Sequence, residues 1–258
     1  MTMHAPLPSQ MPPVPKGYAL VALESVPSTN DEAVRLAGEG AADGTVVWAQ
    51  SQSAGRGRRG RQWVSPQGNL YCSVVMRPDV PLAHAAALSL VAAVAVGDTV
   101  AGFVPAGRRI EHKWPNDVLV GGAKIAGILL EASGDRRQQV DWVVLGCGVN
   151  VAAHPEVEGQ AATDLAAERN APVSVGPVLV ALLENLRHWR ARWETAGVEP
   201  VREAWLARAR GLGEDIFVRL PREDIRGRFE GLDAAGALRL GLADGTERTI
   251  SAGDVFFP

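Results

Sequence analysis

Residues 51–63, SQSAGRGRRGRQW, concentrate groups that could bind an anion. They include four arginines and three glycines, whereas the whole chain of 258 residues has 26 basic and 29 acidic residues and a formal net charge of −3. Glycines let backbone N–H groups approach oxyanions, and guanidinium groups supply forked donors that match phosphate or carboxylate. The segment predicts either a mobile loop that closes on a small, highly anionic ligand or a solvated basic turn.

Two other interpretations of residues 51–63, which we call the arginine loop, are weaker. Residues 55–60 match the pattern GxGxxG, but a dinucleotide-binding loop opens a helix, and the following residues contain Pro66 and Gly68 without a helical period. A nucleic-acid-binding or localisation segment would need support from further basic clusters or aromatic platforms, and the sequence has none. The acidic net charge also argues against a general nucleic-acid binder.

Three further stretches could complete an anion site. Lys124 opens an otherwise apolar strand, where a lysine either reaches the surface or meets an anion. HKWPNDV, residues 112–118, places Asn116 and Asp117 beside a proline, which also suits a turn. Gly146 and Gly148 interrupt a buried strand, so either a ligand or a tightly packed helix approaches the backbone there.

The composition limits the remaining chemistry and the cellular setting. Cys72 and Cys147 are far apart in the sequence, and the five histidines show no zinc-binding pairing. Two unpaired cysteines, and the absence of an apolar run of about 18 residues or a signal peptide, favour the cytoplasm and no membrane partner. Residues 1–17 are rich in proline and are predicted to form a disordered tail.

The elements that must position these residues can be read from hydrophobic patterns. Strands are predicted over 18–26, 44–50, 69–76 and 140–151, and a hairpin over 118–131 turns at Gly121 and Gly122 with a second arm buried on both faces. A capping box from Thr29 to Glu32 predicts a helix that ends near Ala37. A mostly buried helix is expected over 82–101, and amphipathic helices over 176–195 and 198–210. From about Gly213 five short strands predict a small barrel that leans on the larger domain.

In this order and spacing, the motifs resemble those of the biotin protein ligases. The motifs are STN at 28–30, Gln52 with SAGRGRRGRQW, KWPND at 113–117, GAKIAGILLE at 122–131 and GCGVN at 146–150. The resemblance implies an α+β fold, with a mixed sheet and flanking helices like those of class II aminoacyl-tRNA synthetases. It implies a catalytic domain over 18–211 and an SH3-like barrel over 212–258. Fewer than 20 residues precede the first strand, so we expect the form without an N-terminal DNA-binding domain.

The resemblance also implies roles for individual residues. The residues implied to bind biotin are Ser28, Thr29, Asn30, Gln52, Arg56, Gly57, Arg58, Lys124, Gly146 and Gly148. Those implied to bind ATP or the adenylate are Arg58, Arg59, Trp63, Asn116, Asp117, Lys124 and Asn150. Arg56, Arg58 and Lys124 are the implied catalytic cations, and Asp117 is a candidate Mg²⁺ ligand.

The implied reaction activates biotin with Mg-ATP to biotinyl-5′-AMP and transfers biotin to a lysine of a carrier protein. The carrier is expected to be the biotin carboxyl carrier protein of acetyl-CoA carboxylase or of another biotin-dependent carboxylase. The enzyme is expected to be a monomer or a homodimer that binds no specific nucleic acid. A lipoate or octanoate transferase on a related fold is the alternative, with Cys147 as its thiol; a nucleic-acid-binding regulator is a third possibility.

Overall fold

The computed structural model describes residues 11–135, 137–156, 159 and 161–257. Residues 1–10 of the predicted disordered tail lie outside the described residues. Within the rest of that predicted tail, Val14 packs against the hydrophobic core.

A seven-stranded mixed sheet forms the centre of the larger domain. Its strands in chain order are β1 Ala19–Val26, β2 Thr45–Gln52, β3 Leu70–Met76, β4 Ile110–Lys113, β5 Asp117–Val120, β6 Ala123–Gly134 and β7 Val140–Val149. The spatial order is β1-β2-β3-β7-β6-β5-β4. β1 runs parallel to β2, and the other neighbours pair antiparallel. The predicted mixed sheet with flanking helices is confirmed.

The described residues form five α-helices: α1 Thr29–Gly38, α2 Leu88–Phe103, α3 Leu165–Arg169, α4 Val175–Ala196 and α5 Glu199–Leu206. The predicted start of α1 is wrong by one residue. Ser28 is the N-cap and accepts a hydrogen bond from the Asp31 backbone N–H at 3.4 Å. Thr29 instead donates to a side chain of β2, and Glu32 pairs with Arg35.

The predicted helix over 82–101 is a 3₁₀ turn over Leu82–Ala87 followed by α2. Residues 82–103 are long and apolar enough to cross a membrane, so the expectation that the sequence holds no such apolar run is wrong, yet 67% of the most apolar window is buried inside the protein. Helix α2 packs on α4 and on the sheet, and its buried residues belong to the main hydrophobic core. We therefore assign it as a core helix.

The alternation of side chains along the central strands separates the core from a cleft. Leu70, Cys72, Val74 and Met76 of β3 belong to the main core, as do Val143, Leu145, Cys147 and Val149 of β7. Because successive residues of a strand point to opposite faces, Tyr71, Ser73, Gly146 and Gly148 lie on the face that α1 covers. Small side chains on this face leave room beside the first turn of α1.

The predicted hairpin around residues 121–122 is confirmed as β5 and β6. Gly121 and Gly122 have φ of 55° and 86°, the left-handed conformation that a two-residue turn of this kind requires. The expectation that β6 is buried on both faces is wrong, because several of its residues, including Gly127 and Leu129, are only half-buried and line a cavity. The stretch predicted as a turn at 112–118 contains β4 and the start of β5, with residues 114–116 connecting them.

The C-terminal residues form a five-stranded antiparallel sheet. Its strands are β8 Asp215–Arg219, β9 Asp224–Leu232, β10 Leu238–Gly241, β11 Glu247–Ile250 and β12 Asp254–Phe256, in the spatial order β11-β10-β9-β8-β12. Phe229 packs edge-on against Trp205 of α5 with ring centroids 6.5 Å apart, and Trp114 Nε1 donates to Gly236 O at 3.0 Å. The small sheet thus leans on the larger domain, as the sequence predicted.

Candidate active site

A cavity of about 410 Å³ opens on the α1 face of the large sheet. Every predicted site residue except Arg59 lines it. These residues are Ser28, Thr29, Asn30, Gln52, Arg56, Gly57, Arg58, Trp63, Asn116, Asp117, Lys124, Gly146, Gly148 and Asn150. Motifs spread over more than 100 positions of the sequence therefore meet at one place.

One end of this cavity, the polar end, is built on the first turn of α1. Gln52, the last residue of β2, accepts hydrogen bonds at Oε1 from the Thr29 backbone N–H at 2.8 Å and from Thr29 Oγ1 at 3.1 Å. Gln52 Nε2 donates to Ser65 Oγ at 2.9 Å. A free N–H at a helix start attracts polar or anionic groups, so this geometry provides donors and acceptors for a neutral polar ligand.

Asn30 links the polar end to the sheet. Ser73 Oγ donates to Asn30 Oδ1 at 2.6 Å, and Asn30 Nδ2 donates to Glu131 Oε2 at 2.9 Å. A Cβ on Gly146 would lie 1.9 Å from Asn30 Oδ1. Gly146 is therefore needed so that the side chain of a helix residue can approach the strand, which is the tight helix–sheet contact that the sequence left as an alternative.

Trp63 covers the middle of the cavity. A Cβ on Gly148 would lie 2.7 Å from the indole, and one on Gly127 would lie 2.9 Å from it. Lys124 Nζ stands over the ring, 5.3 Å from its centroid, and the buried indole Nε1 has no hydrogen-bond partner among the residues that the structure describes. The paired glycines of β6 and β7 thus make a slot that holds a flat aromatic ring.

The opposite end, the cationic end, collects lysines and arginines. Lys124 Nζ pairs with Asp117 Oδ1 at 2.7 Å. Lys113 lines the same wall, where burial lowers its pKa, and its Nζ lies 5.8 and 5.6 Å from the ring centroids of Phe256 and Phe257. The sequence analysis did not predict Lys113 as a site residue, although it begins the KWPND motif. A lysine directly before Trp114 and a proline carries no separate signal for a binding site.

The arginine loop folds into a narrow hairpin. The Trp63 N–H donates to Gly55 O at 2.8 Å, and the Gly57 N–H donates to Arg61 O at 2.7 Å. A Cβ on Gly55 would lie 2.3 Å from Trp63 O, so this glycine permits the close crossing of the two arms. The interpretation as a dinucleotide-binding loop fails here, because a short 3₁₀ turn over Arg58–Gly60, and not a helix, follows the glycines.

The loop arginines have different surroundings. Arg56 lies at the rim and pairs with Asp31 and Glu131; the hydrogen bond to Glu131 contributes most to its raised pKa. Arg58 is half-buried, its pKa is lowered by burial, and it makes no ion pair with a carboxylate in the part of the chain that the structure describes. Arg59 lies outside the cavity and pairs with Asp254 at 3.2 Å. Arg56, Arg58 and Arg61 all line the cavity, and among the described residues Arg58 is the one of the three without a carboxylate partner.

Two predicted nucleotide-side residues make structural hydrogen bonds. Asn116 Nδ2 donates to Ile128 O at 2.7 Å, and Asn150 Nδ2 donates to Thr163 O at 3.0 Å. Each amide ties a loop to β6 or to the segment before α3. Asn116 and Asn150 therefore shape the cavity wall in addition to lining it.

The C-terminal sheet also contributes to the cavity. Asp254, Val255 and Phe256 of β12 line it next to the arginine loop. Sequence reasoning missed this contribution, because nothing in the local pattern of β12 connects it to a loop roughly 200 residues earlier.

A resident metal and a reactive thiol both find little support. Among the described residues no group of three or more His, Cys, Asp or Glu could hold a metal ion. Asp117 is a single carboxylate paired with Lys124, which suits a Mg²⁺ that arrives on substrate phosphates better than a bound ion. Cys147 belongs to the hydrophobic core, and burial raises its pKa to about 12.

Two family models match the chain. Residues 22–150 match the model of the biotin/lipoate A/B protein ligase family, and residues 211–257 match that of the biotin protein ligase C-terminal domain. The chain is 43% identical over 235 residues to the biotin–[acetyl-CoA-carboxylase] ligase of Paracoccus denitrificans, covering 89% of this chain and 97% of that protein. It is 34% identical to the bifunctional ligase/repressor BirA of Bacillus subtilis, of which it covers 73%. The chain belongs to the biotin/lipoate A/B protein ligase family.

Solved structures resemble the chain over most of its length. The biotin protein ligase of Aquifex aeolicus in complex with biotin and ATP superimposes with a TM-score of 0.75 at 26% identity, covering 92% of this chain and 97% of that one. The ligase of Leishmania major in complex with biotinyl-5-AMP gives a TM-score of 0.64 at 27% identity, covering 90% and 98%.

Proposed function

We propose that the protein is a biotin protein ligase, which activates biotin with ATP and transfers it to a lysine of a carrier protein. The observation that carries the proposal is one cavity with a neutral hydrogen-bonding end and a cationic end in a member of this family. Such a cavity suits a ligand that is itself neutral and polar at one end and anionic at the other.

The polar end would bind the ring system of biotin. Ser28, Thr29, Asn30 and Gln52 would supply its hydrogen bonds, and Gly146 and Gly148 would line the pocket by letting Asn30 and Trp63 lie close to the sheet beside the ligand. The donors are in place before any ligand arrives, because Thr29 N–H already donates to Gln52 Oε1. A ligand that exchanges this contact for its own hydrogen bonds loses little free energy.

The cationic end would carry the first chemical step. A carboxylate oxygen of biotin attacks the α-phosphorus of ATP, the new C–O–P linkage forms, and the bond to pyrophosphate breaks. Both reactants are anions, so fixed cations are needed to bring them together. Arg58 would neutralise them directly, and Lys124 would do so on exchanging Asp117 for a ligand anion. Arg56 would contact the anions after its ion pairs with Asp31 and Glu131 break. The backbone of Gly57, at the bend of the arginine loop, would lie against the same anions.

The remaining family residues would hold the nucleotide. Trp63 would pack near adenine, which its position over the glycine slot supports. Asn116, Asn150 and Asp117 would border the nucleotide, with Mg²⁺ entering as part of Mg-ATP and Asp117 as its one candidate protein ligand. Arg59 points away toward Asp254, so it would reach the adenylate only after that ion pair opens.

In the second step, the ε-amine of the carrier lysine attacks the carbonyl carbon of the mixed anhydride. The amide forms, the acyl–oxygen bond breaks, and AMP leaves with both electrons of that bond. Lys124 would stabilise the charge on the departing phosphate. The arginine loop would shield the anhydride from water until the carrier arrives.

A lipoate or octanoate transferase is less well supported. Its thiol would be Cys147, whose buried position and raised pKa oppose thiolate formation. The relatives named above are biotin ligases, and the two similar solved structures are complexes with biotin and ATP or with biotinyl-5-AMP.

We extend the proposal to the setting of the enzyme. The acceptor would be the biotin carboxyl carrier protein of acetyl-CoA carboxylase or of another biotin-dependent carboxylase, encountered in the cytoplasm, with no specific nucleic acid as partner. The enzyme would act as a monomer or homodimer. We also assign the larger domain, residues 18–211, to the class II aminoacyl-tRNA synthetase-like fold and residues 212–258 to an SH3-like barrel.

The test is to incubate the pure protein with biotin, Mg-ATP and a carrier domain and to weigh the carrier by mass spectrometry. We expect the carrier to gain one biotinyl group, dependent on ATP. A carrier with its acceptor lysine replaced by arginine is the matched control. No mass gain, together with no biotin-dependent exchange between ATP and pyrophosphate, would disprove the function. Gain of lipoate in place of biotin would favour the alternative.

A further inference from the structure

Gly253 and Asp254, at the start of β12, accept hydrogen bonds from three arginines of the arginine loop. Asp254 accepts hydrogen bonds from Arg61 Nη2 at 2.5 Å and from Arg59 Nη1 at 3.2 Å. The neighbouring Gly253 O accepts one from Arg58 Nη1 at 3.4 Å. Three of the four loop arginines therefore contact one short segment at the start of β12, while Arg56 contacts the rim beside α1.

This contact differs from an ordinary surface ion pair. The Asp254 side chain is 22% exposed, it lines the cavity, and it joins two guanidinium groups that belong to a part of the chain roughly 200 residues away. One carboxylate shared by two arginines forms a small network, which contributes more than a single exposed pair. The contact therefore ties the C-terminal sheet to the arginine loop, which lines the cavity.

The same contact decides which arginine is available to a ligand. Asp254 neutralises Arg59 and Arg61, so that Arg58 alone of these three keeps its charge unpaired and half-buried at the cavity. Without that carboxylate, three neighbouring guanidinium groups would repel one another and favour an open loop.

We propose that Asp254 is a positioning residue that latches the arginine loop over the active site through Arg59 and Arg61. The proposal rests on the proposed ligase function for its catalytic consequence, but the latch itself requires no ligand. The C-terminal sheet would in this way set how often the loop opens, and thereby how long the acyl-adenylate is retained.

The latch is tested by hydrogen exchange of residues 55–63 in the full-length, ligand-free protein. Asp254→Asn keeps the shape of the side chain and removes its charge. We expect exchange of the loop to quicken roughly fivefold, as the loss of two partly exposed pairs implies. Raising the salt concentration should quicken the wild-type loop more than the variant loop, because in the variant, among the described residues, only the Arg56 pairs with Asp31 and Glu131 remain to be screened.

Three controls separate a latch from a folding defect. Asp215→Asn removes another single carboxylate–arginine pair of the C-terminal sheet, with Arg226 at 3.0 Å, and should leave the loop unchanged. Arg61→Gln removes the loop partner and should quicken the same segment as Asp254→Asn. Exchange of β9 and β10 should not change in any of these variants. Equal loop exchange in wild type and Asp254→Asn, or quickened exchange throughout the C-terminal sheet, would overturn the latch.

The catalytic consequence is measured as the release of biotinyl-5′-AMP from the protein. Asp254→Asn should release it roughly fivefold faster, and Asp254→Glu should restore much of the retention. If adenylate forms and escapes at the same rate in wild type and Asp254→Asn, the latch has no role in retention and the proposal fails. If the variant loop loosens but no adenylate forms even with wild type, the ligase function fails while the latch stands.

Discussion

The polar end and the cationic end of the cavity solve different physical problems. At the polar end, Thr29, Gln52, Asn30 and Ser73 are neutral and are joined by hydrogen bonds, and Asn30 also donates to the Glu131 carboxylate. At the cationic end, lysines and arginines that would repel one another are held by carboxylates. The polar end is therefore preformed, whereas most cations of the other end must exchange a carboxylate for a ligand phosphate.

This difference has an energetic reason. A buried neutral network is stable without a ligand because its hydrogen bonds replace those lost to water. A group of unpaired cations in a half-buried cavity is not stable, so the chain supplies Asp31, Asp117, Glu131 and Asp254 as counter-charges. Ligand binding at this end is then an exchange of one anion for another, which makes it sensitive to single charges and to salt.

Removal of Lys124 should have the largest effect. Lys124→Ala takes away the cation beside the reacting carboxylate and phosphate, so biotin-dependent ATP–pyrophosphate exchange should fall by about 1,000-fold or more. Lys16→Ala, on the exposed chain before β1, is the control and should exchange normally.

A double variant tests whether Lys124 acts on the substrate or only neutralises Asp117. Lys124→Ala leaves Asp117 unpaired, so Lys124→Ala with Asp117→Asn should be as inactive as the single variant if the lysine acts on substrate. Recovery of exchange in the double variant would mean that Lys124 serves to neutralise Asp117, and near-normal exchange in the single variant would remove Lys124 from the first step.

Loss of Gln52 should have an intermediate effect confined to biotin. Gln52→Ala removes the acceptor for Thr29 and a donor at the polar end, so the KM for biotin should rise by about 10- to 100-fold, with the KM for ATP nearly unchanged. Gln67→Ala, an exposed glutamine outside the cavity lining, is the control. Equal increases in both KM values would contradict the division of the cavity into two ends.

Salt should change the KM values for ATP and biotin by smaller but different factors. Raising NaCl from about 0.05 to about 0.5 M should increase the KM for ATP severalfold, because screening weakens the attraction between partly exposed cations and phosphates. The KM for biotin should increase less than that for ATP, because biotin presents a single carboxylate to the cationic end and its ring system is held by neutral hydrogen bonds, which are hardly screened. Steady-state kinetics at fixed Mg²⁺ measures both, and a larger change for biotin would reverse the assignment.

The sequence identified most of this cavity because its motifs are local. The cap at residues 28–30, the glycines of β7 and the arginine loop each carry a pattern that one element fixes. It did not identify Lys113 or the start of β12, because their proximity to the loop depends on how the C-terminal sheet packs against the larger domain. The sequence also left the role of Gly146 open, because a glycine in a strand does not reveal whether a helix side chain such as Asn30 or a ligand fills the space beside it.

Alkylation of Cys147, on strand β7 beneath both ends of the cavity, should have the smallest effect. Cys147 lies between Gly146 of the polar end and Gly148 under Trp63, so a thiol mechanism at either end would have to use it. Its pKa of about 12 leaves about one part in ten thousand as thiolate at pH 8, and the thiol is buried in the core. Treatment of the folded protein with iodoacetamide at pH 8 should therefore leave ligase activity and Cys147 unchanged, while unfolding in guanidinium should expose Cys72 and Cys147 to labelling. Rapid labelling of Cys147 in the folded protein, with loss of activity, would show that the strand takes part in the chemistry and that the division into a neutral and a cationic end is incomplete.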